Sequence, residues 1–318
     1  MTINNMRRFS NVLVTGGAGY IGSILTNELL RQGYGVTILD NLTFGGTSLL
    51  PFFADKNFRF VKGDIRDPQA VARAMEGIDA VVHLAAIVGF PACRKDPEGS
   101  RDINVRGTQV LADATPPDVP VFFASPGSGY GKMLEKYCTE TTPVNPLSDY
   151  AKQKVEAEEI IRQHKKFVIF RFATAFGVSS RLRLDLLPND FTYRAVREKT
   201  LIVYEKNFMR TFLHVRDIAR AFIFALEHYD TMHEEIYNVG SNDMNYSKEA
   251  ICRLIQERVD YYLHFADVGH DLDQRDYMVS YDKIHALGFK PSISMGEGID
   301  ELIKMCEVIE VKNPYYNA

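Results

Sequence analysis

The amino-acid sequence predicts an α/β fold: a Rossmann-type doubly wound parallel sheet with a smaller, mixed α/β C-terminal substrate lobe. Three observations carry this. Short apolar runs alternate with amphipathic stretches through the first half, the first run ends in a glycine-rich turn, and the alternation stops after about residue 175. Repeated β-α-β order implies parallel strands with helices on both faces, because each crossover must return on the same side.

The run Asn11–Thr15 is apolar and ends in glycines, as a buried parallel strand should. A helix is expected over Ile21–Gln32, stopped by Gly33, then strands at Val36–Asp40 and Phe58–Lys62. Gln69–Met75 reads as a helix, Ala80–Ala85 as a strand, and Asp102–Ala114 as a helix stopped by Pro116 and Pro117. Val121–Ser125, the long helix Ser148–His164 and the strand Phe167–Phe172 complete the series. Beyond it, helices at Pro188–Glu198, Lys248–Glu257 and Gly296–Cys306 lack regular alternation and belong to the lobe, whereas Val215–Glu227 and Ile236–Val239 return to the main domain. The expected division is therefore 1–174 plus 211–240 for the nucleotide domain, and 175–210 plus 241–318 for the lobe.

The 318 residues suffice for both parts, at ~100–200 residues per domain. A net charge of −4 gives no reason to expect nucleic acid or an anionic membrane as partner. Cys93, Cys138, Cys252 and Cys306 are far apart, which suits reduced thiols and neither a disulfide framework nor a metal site. The chain reaches a strand and a glycine turn by residue 16, before any signal core would fit, and has no run of ~18 apolar residues. A cytoplasmic protein is expected.

Gly16, Gly19 and Gly22 lie between the first strand and the first helix. Such a turn brings a pyrophosphate to the amides at a helix start: Gly16 for the turn, Gly19 for the approach, Gly22 for helix–strand packing. Asp40 closes the second strand eighteen residues after Gly22, where a carboxylate accepts from the adenosine ribose hydroxyls and repels a 2′-phosphate. Asn41, Leu42 and Thr43 supply no arginine to reverse that, so NAD is expected over NADP. Asp64 after Gly63 can meet the adenine amino group with Ile65 against the ring, although Asp after Gly is also a common turn former.

Tyr150 and Lys154 are spaced i, i+4 in the long helix and so share one face. A free tyrosine, with a pKa near ~10, is a poor base at neutral pH. A neighbouring ammonium and the positive nicotinamide stabilise phenolate, which can take a hydroxyl proton while hydride leaves the same carbon.

Together these stretches resemble the extended short-chain dehydrogenase/reductase family, in its nucleotide-sugar epimerase and dehydratase branch. The resemblance rests on TGGAGYIG (15–22), DNL (40–42), GDIRD (63–67), HLAA (83–86), NVRGT (104–108), SDYAKQK (148–154), RTFLHVRD (210–217) and LGFKP (287–291), all in family order. It implies cofactor contacts at Gly16, Gly19, Tyr20, Ile21, Gly22, Asp40, Asn41, Asp64, Ile65, Leu84, Ala85, Ala86, Tyr150 and Lys154. It also implies an architectural or cofactor-side role for Asn104, diphosphate-binding arginines at Arg210 and Arg275, and a homodimer formed by helices 102–114 and 148–164 with their copies.

Three departures qualify the likeness. Pro126 stands where the family carries a proton-sharing Ser or Thr, so Ser125 or Ser128 is the candidate substitute. Gly127-Ser128 stands where 4,6-dehydratases carry Asp-Glu, which disfavours a standard 4,6-dehydratase. Thr174 replaces an asparagine that ordinarily faces substrate. The resemblance therefore implies an NAD-dependent epimerase of a nucleotide-diphosphate sugar, at C4. The alternatives are a one-way dehydrogenase or reductase, a variant dehydratase, or a catalytically impaired NAD-binding scaffold.

Overall fold

The fold is described from a computed structural model, which covers residues 7–131, 137–267 and 278–311. Strand β1 (Asn11–Thr15) is followed by α1 (Tyr20–Arg31), β2 (Gly35–Asp40), β3 (Phe58–Lys62), α2 (Pro68–Met75) and β4 (Ala80–His83). After two short helices (Phe90–Lys95 and Pro97–Arg101) come α3 (Gly107–Ala114), β5 (Val121–Pro126), α4 (Asp149–Gln163) and β6 (Phe167–Phe172). Then β7 (Thr174–Phe176), α5 (Leu187–Arg197), β8 (Thr200–Tyr204) and β9 (Met209–His214) lead to α6 (Val215–Glu227) and β10 (Glu235–Val239). The C-terminal part holds β11 (Asn245–Ser247), α7 (Lys248–Gln256), β12 (Tyr262–Ala266) and α8 (Met295–Val308).

Seven strands form one parallel sheet in the order β10-β6-β5-β4-β1-β2-β3. The order reverses beside β1, between β2 and β4, and a ligand crevice opens at such a switch point outside the carboxyl ends of the strands. Strand β1 is central, and Val12, Leu13 and Val14 have no exposure, because helices cover both faces. One face packs Leu25 and Leu29 of α1 and Phe222 of α6; the other packs Val71 of α2, Leu111 of α3 and Ile161 of α4. A third apolar cluster, built on Phe191, Ile251, Ile299 and Leu302, is the core of the lobe. The lobe's sheets are small: β11-β9-β7 and the pair β12-β8.

The doubly wound fold with a smaller mixed lobe is as expected, with local differences. The fourth strand ends at His83, because Leu84 and Ala85 turn their amides toward the Thr15 hydroxyl. The expected helix over 102–114 begins as a π-type turn at Asp102–Arg106 and becomes α-helical only at Gly107. This wider turn leaves the Asn104 side chain facing the loop after β4, and π-type turns of this kind recur at functional sites.

Candidate active site

One cavity of about 1080 Å³ lies over the carboxyl ends of the strands. It gathers Gly16, Gly19, Tyr20, Ile21, Gly22, Asp40, Asn41, Asp64, Ile65, Leu84, Ala85, Ala86, Ser125, Tyr150, Lys154 and Arg210. Ser128 is not among the lining residues, and Arg275 lies outside the described residues.

The glycine turn is tight for a steric reason. Gly16 has φ +71°, and a Cβ there would lie 2.8 Å from the Ala85 backbone. A Cβ on Gly22 would meet the Gly16 carbonyl at 2.3 Å, so α1 approaches β1 only because that atom is absent. Asp40 ends β2 half-exposed, and each of its oxygens accepts one amide, Leu42 N at 2.8 Å and Ala18 N at 3.0 Å. A carboxylate oxygen accepts two bonds, so one position remains on each, which matches a ribose diol. Burial pushes the Asp40 carboxyl up, partly offset by those two amides and by the charge of Arg181.

Asp64 differs. One oxygen accepts Arg66 N and Nε at 2.9 and 2.8 Å; the other accepts Arg66 Nη2 and Asn41 Nδ2 at 2.9 and 3.1 Å. The Arg66 guanidinium holds this carboxyl well below its usual range. All four acceptor positions are in use, so an adenine amino group reaches Asp64 only if Asn41 lets go.

Tyr20 lines the cavity, yet its hydroxyl serves the lobe: it donates to the Gly177 carbonyl at 2.7 Å and accepts from Asn189 Nδ2 at 3.4 Å. The Leu84–Ala86 wall is held by a buried network. Thr108 Oγ donates to the Asn104 carbonyl at 2.6 Å and therefore accepts from His83 Nε2 at 3.0 Å. That assigns the proton to Nε2 and leaves Nδ1 to accept from Thr15 Oγ at 2.7 Å. Burial keeps His83 neutral by pushing its pKa well down. The Asn104 side chain spans the Ile87 N–H and C=O at 2.8 and 2.9 Å and donates to Gln153 at 2.7 Å. Asn104 thus ties this wall to α4; its role here is architectural.

Helix α4 starts where Ser148 accepts from the Ala151 amide at 3.2 Å, which sets Tyr150 in the first turn and Lys154 one turn on. Tyr150 is half-buried. Lys154 is buried, its Nζ 3.8 Å from the Phe123 ring centroid, and desolvation pushes its pKa down to about 7 despite the Glu158 carboxylate. Behind it, Arg171 grips Glu158 at 2.7 and 3.2 Å, both side chains being under a tenth exposed.

Ser125 and Ser128 both carry buried hydroxyls with no hydrogen-bond partner among the described residues. Only Ser125 lines the cavity, since the chain turns after Pro126. Thr174 lines it at the end of the sheet. Several lining residues escaped the sequence reading: Phe44, Phe90, Arg94, Lys95, Arg181, Arg183 and Asp185. Their signal was weak, because short helices and lobe loops have no diagnostic spacing. Among the described residues no group of three or more His, Cys, Asp or Glu could hold a metal.

The model of the NAD dependent epimerase/dehydratase family matches residues 12–240. A putative UDP-glucose 4-epimerase of Methanocaldococcus jannaschii is 29% identical, over 92% of this chain and 97% of that one. The dTDP-D-glucose 4,6-dehydratase of Mus musculus is 31% identical, over 92% of this chain and 87% of that one. The solved structure of Thermus thermophilus UDP-glucose 4-epimerase, in complex with NAD, superposes with a TM-score of 0.82 at 26% identity, over 94% of this chain and 99% of that one. The family is NAD-dependent, and the glycine turn and the half-satisfied Asp40 carboxylate fit that cofactor. By sequence match, fold and cavity alike, the chain belongs to the NAD-dependent epimerase/dehydratase family of the extended short-chain dehydrogenases/reductases.

Proposed function

We propose that the protein is an NAD-dependent epimerase of a nucleotide-diphosphate sugar, inverting C4. The observation that carries this is the chemistry around the cavity: Tyr150, Lys154 and Ser125 face it, while the two positions where dehydratases hold Asp-Glu carry Gly127 and an averted Ser128. An eliminating enzyme needs a further acid and base there, whereas an epimerase needs one base and room for the sugar to turn.

When bound, NAD supplies a hydride acceptor that returns the hydride, so no external reductant is consumed. Asp40 holds the ribose diol, and the amides after Gly19 face the pyrophosphate. Tyr150 Oη takes the 4-hydroxyl proton and gives it back to the same oxygen, with Lys154 lining the cavity one turn along the same helix. Ser125 Oγ donates to that oxygen in place of the hydroxyl that Pro126 lacks. Arg210 grips the diphosphate with paired N–H donors. Residues 1–174 with 211–240 form the NAD domain; 175–210 and 241–318, including Arg275, form the sugar lobe. A homodimer through the helices at 102–114 and 148–164 follows the symmetric pairing commonest among oligomers. No helix among the described residues is long and apolar enough to cross a membrane, and four buried free cysteines suit a reducing cytoplasm.

The test is incubation of purified protein with UDP-, GDP-, CDP- and dTDP-sugars, followed by NMR of the sugar and nicotinamide absorbance. A C4 epimer with no net absorbance change is the expected result. Net absorbance change indicates a reductase, a 4-keto-6-deoxy product a dehydratase, and no change with any sugar a scaffold.

A further inference from the structure

The loop after β2 and a segment of the lobe meet across the adenosine end of the cavity. Phe44 comes from the first, four residues past Asp40; Arg181 comes from the second. The Arg181 guanidinium carbon lies 4.4 Å from the Phe44 ring centroid, and both residues line the cavity beside Asp40, Asn41 and Thr43. Phe44 is 36% exposed, so this contact forms the outer edge of the pocket and not its floor.

The backbone carrying Arg181 is anchored to the glycine turn's own helix. Ser179 Oγ donates to the Tyr20 carbonyl at 2.7 Å and meets Ser23 Oγ at 3.0 Å. The Tyr20 hydroxyl returns a bond to the Gly177 carbonyl at 2.7 Å. Asn189 then holds the other side, donating to the Gly177 and Arg183 carbonyls at 3.2 and 2.8 Å. Ser23, Ser179 and Asn189 are all buried. So much fixation of a loop around one exposed-edge arginine sets its guanidinium against Phe44.

We propose that Arg181 and Phe44 form a clasp over the adenosine half of the cofactor site that holds NAD against release. The clasp rests on the NAD reading above. It also brings a cation beside Asp40 from the lobe, one that the residues following Asp40 do not supply. Asp40 alone then excludes a 2′-phosphate, and a neutral side chain there exposes that phosphate to Arg181.

The experiment loads the protein with NADH and follows fluorescence during a chase with excess NAD. Arg181→Ala and Phe44→Ala should each release NADH about tenfold faster, in line with a partly desolvated cation–π contact. The double variant should be no faster than the quicker single one, because each change removes the same contact. Phe44→Leu, which keeps apolar bulk, should also release faster. Asp40→Asn should gain NADP affinity, and Arg181→Ala in that background should remove the gain. Unchanged release in both single variants, or effects that multiply independently, would overturn the clasp. Failure of the unaltered protein to bind NADH would instead sink the NAD reading, so the two outcomes are distinct.

Discussion

The ammonium of Lys154 lies 3.8 Å from the centroid of the Phe123 ring, one helical turn past Tyr150 and almost wholly removed from water. The ring face partly replaces lost hydration, but burial still dominates and draws the pKa down to about 7 from the ordinary lysine value of 10.5. The groups facing it are His83 from β4, Cys93 from the short helix and Glu158 from its own helix.

That shift has a sign for stability. Between pH 7 and 10.5 the unfolded chain holds a proton on this lysine that the folded chain has released, so stability rises with pH across the window. Below the lower value the full cost of burying the charge is present. Lys154→Met should therefore raise the melting temperature at pH 6, and the advantage should shrink toward pH 10. A gain that is the same at both pH values would show that the ammonium's desolvation is not its source.

Glu158 and Arg171 are buried partners, under a tenth exposed, with the Tyr130 hydroxyl 3.2 Å from Arg171. Glu158→Gln leaves the guanidinium buried without its counter-charge, and breaking such a pair costs about 3–5 kcal/mol. Urea melts should register a loss of that order. A loss below about 1 kcal/mol, the worth of an exposed pair, would mean that water reaches the site.

Tyr150→Phe keeps the ring and removes the proton acceptor. Turnover should fall by about 10²–10⁴-fold while NADH binding survives, since general-base loss acts on the chemical step. Calorimetry with NADH beside steady-state assays separates the two. An active Tyr150→Phe enzyme would overturn the assignment of the base.

Ser125 and Ser128 both bury a hydroxyl that has no hydrogen-bond partner among the described residues, but only Ser125 lines the cavity. Ser125→Ala should lower turnover about tenfold or more, the scale of one lost hydrogen bond in the transition state. Ser128→Ala should leave turnover unchanged and hold or raise stability, because it removes a polar atom that burial left unsatisfied. The reverse order of effects would point to rearrangement of the Pro126 turn in the bound state.

Local sequence determined what depends on neighbours along the chain. The glycine turn, Asp40 at a strand end, and Tyr150 with Lys154 on one helix face are short-range patterns, and each lines the cavity. Strand and helix periodicity likewise carried the parallel sheet, since alternation is set by burial on both faces. What needed the tertiary structure are distances between segments far apart in sequence. The turn after Pro126 separates Ser125 from Ser128, although only two residues divide them. Arg66 and Asn41 fill the acceptor positions of Asp64, which its motif alone left open to adenine. Arg181 reaches the side of Asp40 only because Ser179 and Tyr20 fasten the lobe onto α1. A motif records the residue types that a bond requires, whereas the approach of two loops is decided by the packing of everything between them.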